Sequence, residues 1–221
     1  MARPVPVRTA ARGGPETIGG ESDPTRERLL ATAVDLFTRR GYAATSVREI
    51  VEGAGVTKPA LYYHFGSKEG IYHAILDEIE RLIDGALAEN RGIEGSARER
   101  IEALFLGLFD LFEKNQPAMR FVNAVFWGPP QGAPPFDFER FHARLRDAVA
   151  AIVADGIASG ELGRHLAEDV VLALIGVLSF SMDLTLAHPE LGLGKDGLRR
   201  ALDLLFTGIA SPGLASQENQ R

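Results

Sequence analysis

The chain has 221 residues, 45% of them hydrophobic, ample material for a core in one large or two modest domains. It contains no cysteine, which excludes disulfides and thiolate metal sites and suits a reducing cytoplasm. The formal net charge of −6 argues against a generic nucleic-acid coat, but it is unevenly spread: residues 24–68 carry +3 and residues 69–221 carry −9, a small basic head on an acidic body.

Residues 1–22 mix Pro, Gly, Thr and three arginines without periodicity and read as a disordered extension. Arg3, Arg8 and Arg12 have the composition of an arm that trails into a minor groove, although a solvated tail is the commoner outcome. No apolar run of signal-peptide type opens the chain, so a cytoplasmic protein is expected. Asp23 or Ser22 caps a first helix that Pro24 begins; Leu29, Leu30, Ala33, Val34 and Phe37 give it an apolar stripe that ends at Arg39, Arg40 and Gly41. The side chains of Arg26 and Thr45 are expected to reach phosphates.

Residues 45–68 hold three helix starts and two tight turns. Ser46 followed by Glu49 fits a capping box, and the short helix it starts offers Val47, Ile50 and Val51 to one side before Gly53 and Gly55 permit a sharp corner. Thr57 caps a second helix with Pro59 in its first turn, where a missing amide hydrogen costs little. Helix, glycine turn and helix over 46–65 form the arrangement that lays its second helix in the major groove. Leu61 and Phe65 are the burying pair of that helix. A single tyrosine on a short helix is usually core, but Lys58, Tyr62, Tyr63, His64 and Lys68 together cannot all be buried without stranding polar groups. Ser67 then caps a third helix. Thr57, Lys58, Pro59 and Tyr63 are expected to face base edges, and Thr45, Tyr62, His64 and Lys68 to hold phosphates, with Ser46 and Arg48 completing the set.

The runs Arg48-Glu49-Ile50, Ala54-Gly55-Val56-Thr57 and Leu61-Tyr62-Tyr63-His64-Phe65, with Lys68, resemble the signature of the tetracycline-repressor (TetR) family over residues 24–76. Val51 departs mildly, standing where alanine is common. The resemblance implies an all-α protein of about nine helices: a three-helix DNA-binding domain at 23–83, and a helical domain at 84–210 that dimerises and binds an inducer, before a flexible tail at 211–221.

A long helix from Ser67 to Asn90, with no linker interrupting it, would join the two parts as a strut. A new helix over 97–114, capped by Ser96, is apolar on two sides, with Phe105, Phe109 and Phe112 beside Leu104, Leu108 and Leu111, and is expected to lie in the middle of the body. Eight of the twelve phenylalanines fall between Phe105 and Phe141, with the only tryptophan, Trp127. Plain core and ligand cavity use the same residues. The Pro-Gly-rich stretch 128–135 favours a cavity with a stiff rim, lined by Phe105, Leu108, Phe109, Phe112, Phe121, Trp127, Phe141, His142, Leu145 and Leu178. His142 taken alone is more often a surface or satisfied core histidine. The helix at 138–158 carries Phe141, Leu145, Val149 and Ile152 on one face. Two further helices, 168–187 and 195–209, are apolar enough to suggest a two-fold homodimer seam through Leu174, Leu178, Leu198, Leu202, Leu205 and Phe206, a four-helix bundle in which Gly176 allows close approach. The apolar run 170–178 is judged too short for a membrane span.

The five histidines show no metal-ligand spacing, and no phosphate loop or nucleophile motif is present. The expected function is therefore that of a ligand-responsive regulator without enzyme activity, cofactor or metal, most simply a repressor that an apolar small molecule releases from a palindromic double-stranded operator. The rival is a helical small-molecule-binding protein without DNA activity.

Overall fold

The structure, a computed structural model, describes residues 23–128, 132–163, 166–191 and 194–208. The expected disordered extension with Arg3, Arg8 and Arg12, the tail at 211–221, the rim residues Pro129, Pro130 and Gln131, His165, Ile209 and the side chain of Phe141 lie outside what is described. Among the described residues there are nine α-helices and no strand.

Helix α1 (Pro24–Arg40) starts where the Asp23 carboxylate accepts the Thr25 amide at 2.8 Å and stops at Gly41, whose φ of 78° a side chain would resist. In α2 (Val47–Ala54) the Ser46 and Glu49 capping box is complete, and Gly55 ends the helix in the left-handed conformation. Helix α3 (Lys58–Phe65) follows a three-residue corner, and α4 (Lys68–Asn90) begins almost at once. The α3–α4 corner is tight enough that a Cβ on Gly70 would stand 1.8 Å from the Phe65 carbonyl oxygen, so no other residue fits there. These four helices enclose a core through Leu29, Leu30, Ile50, Leu61, Ile71 and Ile75, each of which contributes about 1.5–3 kcal/mol by leaving water.

In the body, α5 (Ala97–Lys114) is buried on both apolar sides, as the two rows of Phe and Leu require, and Ser96 with Glu99 repeats the capping box at its start. Helices α7 (Phe138–Ser159), α8 (Ala167–Ala187) and α9 (Gly194–Thr207) close around it, with a 3-10 turn, Pro189–Leu191, before α9. Between α5 and α7 lies α6 (Gln116–Trp127), an element the sequence reading did not place. Its signals are present: Pro117 in the first turn, then Ala118, Phe121, Val122, Val125 and Phe126 at spacings of three and four.

Helix α6 also shifts the expected partition of the chain. Ala118 and Phe121 are buried in the core of the head, where the Phe121 ring packs 5.9 Å from Phe37 and 5.5 Å from Tyr72. The head is therefore completed by a segment far beyond residue 83. A charge cluster adds a second tie, with Arg144 of α7 bonded to Glu80 and, at 3.0 Å, to Asp84 of α4.

Two expectations about the last helices need correction. Helix α8 is long and apolar enough to cross a membrane by length and composition alone, so the argument that its apolar run is too short fails. Its apolarity is instead divided between a core face, Val171, Leu174 and Leu178, and an exposed face. Second, Leu174, Leu178, Leu198 and Leu202 are buried in the protomer's own core and cannot form a seam with a second copy. The exposed apolar side chains are Leu172, 73% exposed, and Phe180, 67% exposed, with Leu204 and, less fully, Leu205 on α9 and Phe206 half-buried. The helices named from sequence carry an exposed apolar strip, but on the opposite face, because a helix apolar all round offers no periodicity to separate the two.

Candidate nucleic-acid interface and adjoining cavity

The described side chains of α3 divide cleanly. Leu61 is fully buried and Phe65 half-buried beneath Arg26, whose guanidinium carbon sits 5.6 Å from the ring centroid. Thr57, Lys58, Pro59, Tyr62 and Tyr63 are exposed together, Tyr63 by 85%. Thr57 occupies the N-cap position and is exposed, but its hydroxyl makes no cap hydrogen bond, so the sequence-based cap is wrong in its chemistry. The Lys58 ammonium lies 5.9 Å from the centroid of the Tyr62 ring, which leaves its donors to solvent. One short helix thus presents a hydroxyl, an ammonium and two phenols on a face its own core does not use.

The expected phosphate-holding residues fare less well. Thr45 is 1% exposed, and its hydroxyl donates to the Gly41 carbonyl at 2.9 Å, so it is spent on shaping the α1–α2 turn. The Lys68 ammonium donates to the carbonyls of Tyr42 and Thr45, both at 2.9 Å, and stands 4.0 Å from the centroid of the Tyr42 ring. Burial lowers its pKa. Lys68 is a tie between the start of α4 and the α1–α2 turn, with two of its three donors already used. His64 is largely covered, its Nε2 3.5 Å from the Asp23 carboxylate. Ser46 is exposed, but its hydroxyl serves the capping box, while Arg48 is exposed and pairs with Glu52 at 2.7 Å. Tyr42 is the residue sequence reasoning missed in the head: it supplies both a carbonyl and a ring to Lys68.

In the body, a cavity of about 190 Å³ lies between α4, α5, α6, α7 and α8. Of the expected lining, Leu108, Phe112, Trp127, His142, Leu145 and Leu178 reach it. Phe105 and Phe109 are fully buried in the core behind it, and Phe121 belongs to the head, so these three are corrections: periodicity groups aromatic residues by helix but does not say which side of the helix faces the space. The missed wall is α6, through Met119, Val122, Asn123 and Phe126, together with Met182 and Asp183 of α8. Trp127, 75% exposed, stands at the rim. Asn123 donates to the Asp183 carboxylate at 2.9 Å across the α6–α8 contact. Burial lowers the pKa of His142, so the ring is neutral at neutral pH. The cavity volume exceeds the roughly 150 Å³ that admits a benzene-sized guest to a protein core.

Head core and cavity meet on α6. Phe121 points into the first and Met119, Val122 and Asn123 border the second, within five consecutive residues.

Comparison with known proteins adds the following. Residues 29–75 match the family described as "Bacterial regulatory proteins, tetR family". The HTH-type transcriptional repressor KstR2 of Mycobacterium tuberculosis is 36% identical over 102 residues, 44% of this chain and 49% of that protein. The HTH-type transcriptional repressor ComR of Escherichia coli is 30% identical over 147 residues, 63% of this chain and 69% of that protein. The chain spans about half the length of several of the curated relatives it matches, 49% in the case of KstR2. Among solved structures, the TetR family transcriptional regulator PfmR of Thermus thermophilus superposes with a TM-score of 0.69 at 24% identity, covering 84% of this chain and 97% of that one, a likeness of fold.

Proposed function

The chain belongs to the tetracycline-repressor (TetR) family of bacterial regulatory proteins, and from that premise we propose that it is a cytoplasmic transcriptional regulator that binds operator DNA as a two-fold homodimer and releases it when an apolar small molecule enters the body. The observation that carries the reading is the exposed face of α3. Thr57, Lys58, Pro59, Tyr62 and Tyr63 contribute little to the head's core, and they have the hydroxyls, the cation and the flat rings that base edges and the T methyl group accept in a major groove. In this reading Lys58 and Tyr63 face bases. Tyr62, Ser46 and Arg48 lie toward the backbone, and Thr45, His64 and Lys68 hold the frame.

The dimer would form on the exposed strip of Leu172, Phe180 and Leu204, where Gly176 faces open space and lets a second backbone approach. Such a dimer reads a palindrome with half-sites about one helical turn apart, or a simple multiple of that.

Release is assigned to the cavity. A hundredfold loss of DNA affinity asks for about 2.7 kcal/mol of coupling, within reach of one apolar ligand that prefers one of two conformations. The route runs through α6 as well as along α4: a guest that displaces Met119 or Val122 moves the helix that carries Phe121, and with it the packing of Phe37 and Tyr72 under α1 and α4. A gel shift on the protein's own upstream region, with Tyr63→Ala and Lys58→Ala beside the wild type, tests the DNA reading. Both substitutions should weaken binding while leaving the melting temperature unchanged; equal binding by all three proteins would sink it.

A further inference from the structure

The cavity wall carries one hydrogen-bonded polar pair, Asn123 and Asp183. Most of its described lining is apolar, and the exceptions are Asn123, His142, Ser179 and Asp183. No lysine or arginine is among the described residues that line it. Arg120, on α6 three residues before Asn123, does not border the space and donates to the Leu186 carbonyl at 2.9 Å. His142 is neutral at neutral pH through burial and brings no positive charge. Among the described residues the Asp183 carboxylate accepts from the Asn123 amide on Oδ1, which leaves acceptor capacity on Oδ2, and the side-chain oxygen of Asn123 adds a second acceptor beside it.

A guest that enters this space meets an acceptor-rich, negatively charged corner in otherwise apolar walls. A hydroxyl or ammonium group would complete the hydrogen bonding of Asp183. A carboxylate or phosphate would meet like charge at Asp183, with no lysine or arginine among the described residues that line the space to offset it.

We infer that the effector is an apolar molecule whose polar end is a hydrogen-bond donor, an alcohol or an amine, seated against Asp183, and that the cavity rejects the carboxylate of the same skeleton. The inference rests on the cavity being the effector site and names the chemistry it selects. A hydrogen bond to a charged acceptor is among the stronger ones a protein makes, so the preference should be tenfold or more.

Three probes that share one eight-carbon chain, octan-1-ol, octylamine and octanoate, test it on the full chain. Trp127, the only tryptophan, stands at the rim and reports occupancy by fluorescence, with calorimetry as the second readout. Wild-type protein should bind the alcohol and the amine at least tenfold more tightly than octanoate. Asp183→Asn keeps the shape and the contact with Asn123 but removes the charge, and should bring the three affinities together. Asn123→Ala, which frees Oδ1 without touching the charge, should keep the wild-type order. An order with octanoate tightest, or one that Asp183→Asn leaves unchanged, overturns the inference while the effector cavity stands. If none of the three perturbs Trp127 or gives a heat signal at millimolar concentration, the cavity is not an effector site and both readings fall.

Discussion

In the head, each short helix needs an apolar side chain on one face only, and what remains on α3 is a set of polar and aromatic groups that stay exposed. In the body, α5, α6 and α8 are apolar on two faces. Their apolar surface becomes, in different places, core, cavity wall and an exposed strip. The head therefore advertises its function by residue type, because a buried polar group is costly and an exposed one has a reason to be there. The body hides its function among residues of one type. Leu108, which borders the cavity, and Phe109, sealed behind it, are adjacent in sequence and differ only in which way they point.

The largest expected effect breaks this comparison at α8. Phe180→Glu with Leu172→Glu places carboxylates on the exposed strip without touching the core, so the protomer should keep its helicity and melting temperature while sedimenting as a monomer. Affinity for a palindromic operator should fall at least a hundredfold. Leu202→Ala, on the buried side of α9, should do the reverse: it costs about 2–5 kcal/mol of stability and leaves the surviving folded protein dimeric. A doubly substituted protein that still sediments as a dimer would falsify the choice of face.

The second effect separates two lysines ten residues apart. Lys58→Ala should cost about 1–3 kcal/mol of operator binding and relax base preference at one position, with unchanged stability. Lys68→Ala removes two hydrogen bonds to the carbonyls of Tyr42 and Thr45, so it should lower the melting temperature. The slope of affinity against salt should stay within experimental error of wild type, since no phosphate contact is lost. A slope shallower by about one unit would return Lys68 to the backbone-contact set.

These pairs also show where the sequence is legible. Helix ends in the head were readable because they rest on local chemistry: a hydroxyl three residues before a carboxylate at Ser46 and Glu49, and glycine at Gly41 and Gly55 where φ is positive. The same holds for Ser96 and Glu99 in the body. Contacts between distant residues were not readable. The carbonyls of Tyr42 and Thr45 that take the Lys68 ammonium, the Asn123 amide on Asp183, and Phe121 set between Phe37 and Tyr72 all depend on how helices cross, and nothing in their own neighbourhood announces it. Helix α6 was overlooked for a related reason: its apolar residues serve two cores at once, so they read as an undivided aromatic cluster.

A moderate effect tests the cavity directly. Leu145→Trp fills space bordered by Leu108 and Leu178 and should leave operator affinity within twofold while abolishing release by octan-1-ol. Arg144→Met, which cuts the ties to Glu80 and Asp84, should leave ligand affinity nearly unchanged and weaken its effect on DNA, if α7 passes part of the movement to α4. By reciprocity the operator's effect on ligand affinity must shrink by the same factor, measured by calorimetry with and without DNA. Full coupling in Arg144→Met would confine transmission to α6.

The smallest effect concerns Tyr72, at the point where head and α6 meet. Its ring is fully buried against Phe37, Tyr42 and Phe121, and its hydroxyl has no hydrogen-bond partner among the described residues. Removing an orphan hydroxyl while keeping the ring should stabilise the fold: Tyr72→Phe should gain up to about 1 kcal/mol, a rise of roughly 2–4 °C in melting temperature for a chain of this size. The same group predicts a pH dependence. Burial pushes the Tyr72 pKa up to about 12 from the ordinary tyrosine value of 10.0. Above pH 10 the unfolded chain loses this proton while the folded chain keeps it, so the group draws stability down between pH 10 and about 12, and leaves stability untouched below that window. Tyr72→Phe should flatten part of the alkaline decline; Tyr42, raised by burial and by Glu69, still titrates in the variant. A fall of more than 2 °C at neutral pH would mean that the hydroxyl is satisfied by a buried water, and the junction between head and α6 would then be a hydrated contact rather than a dry one.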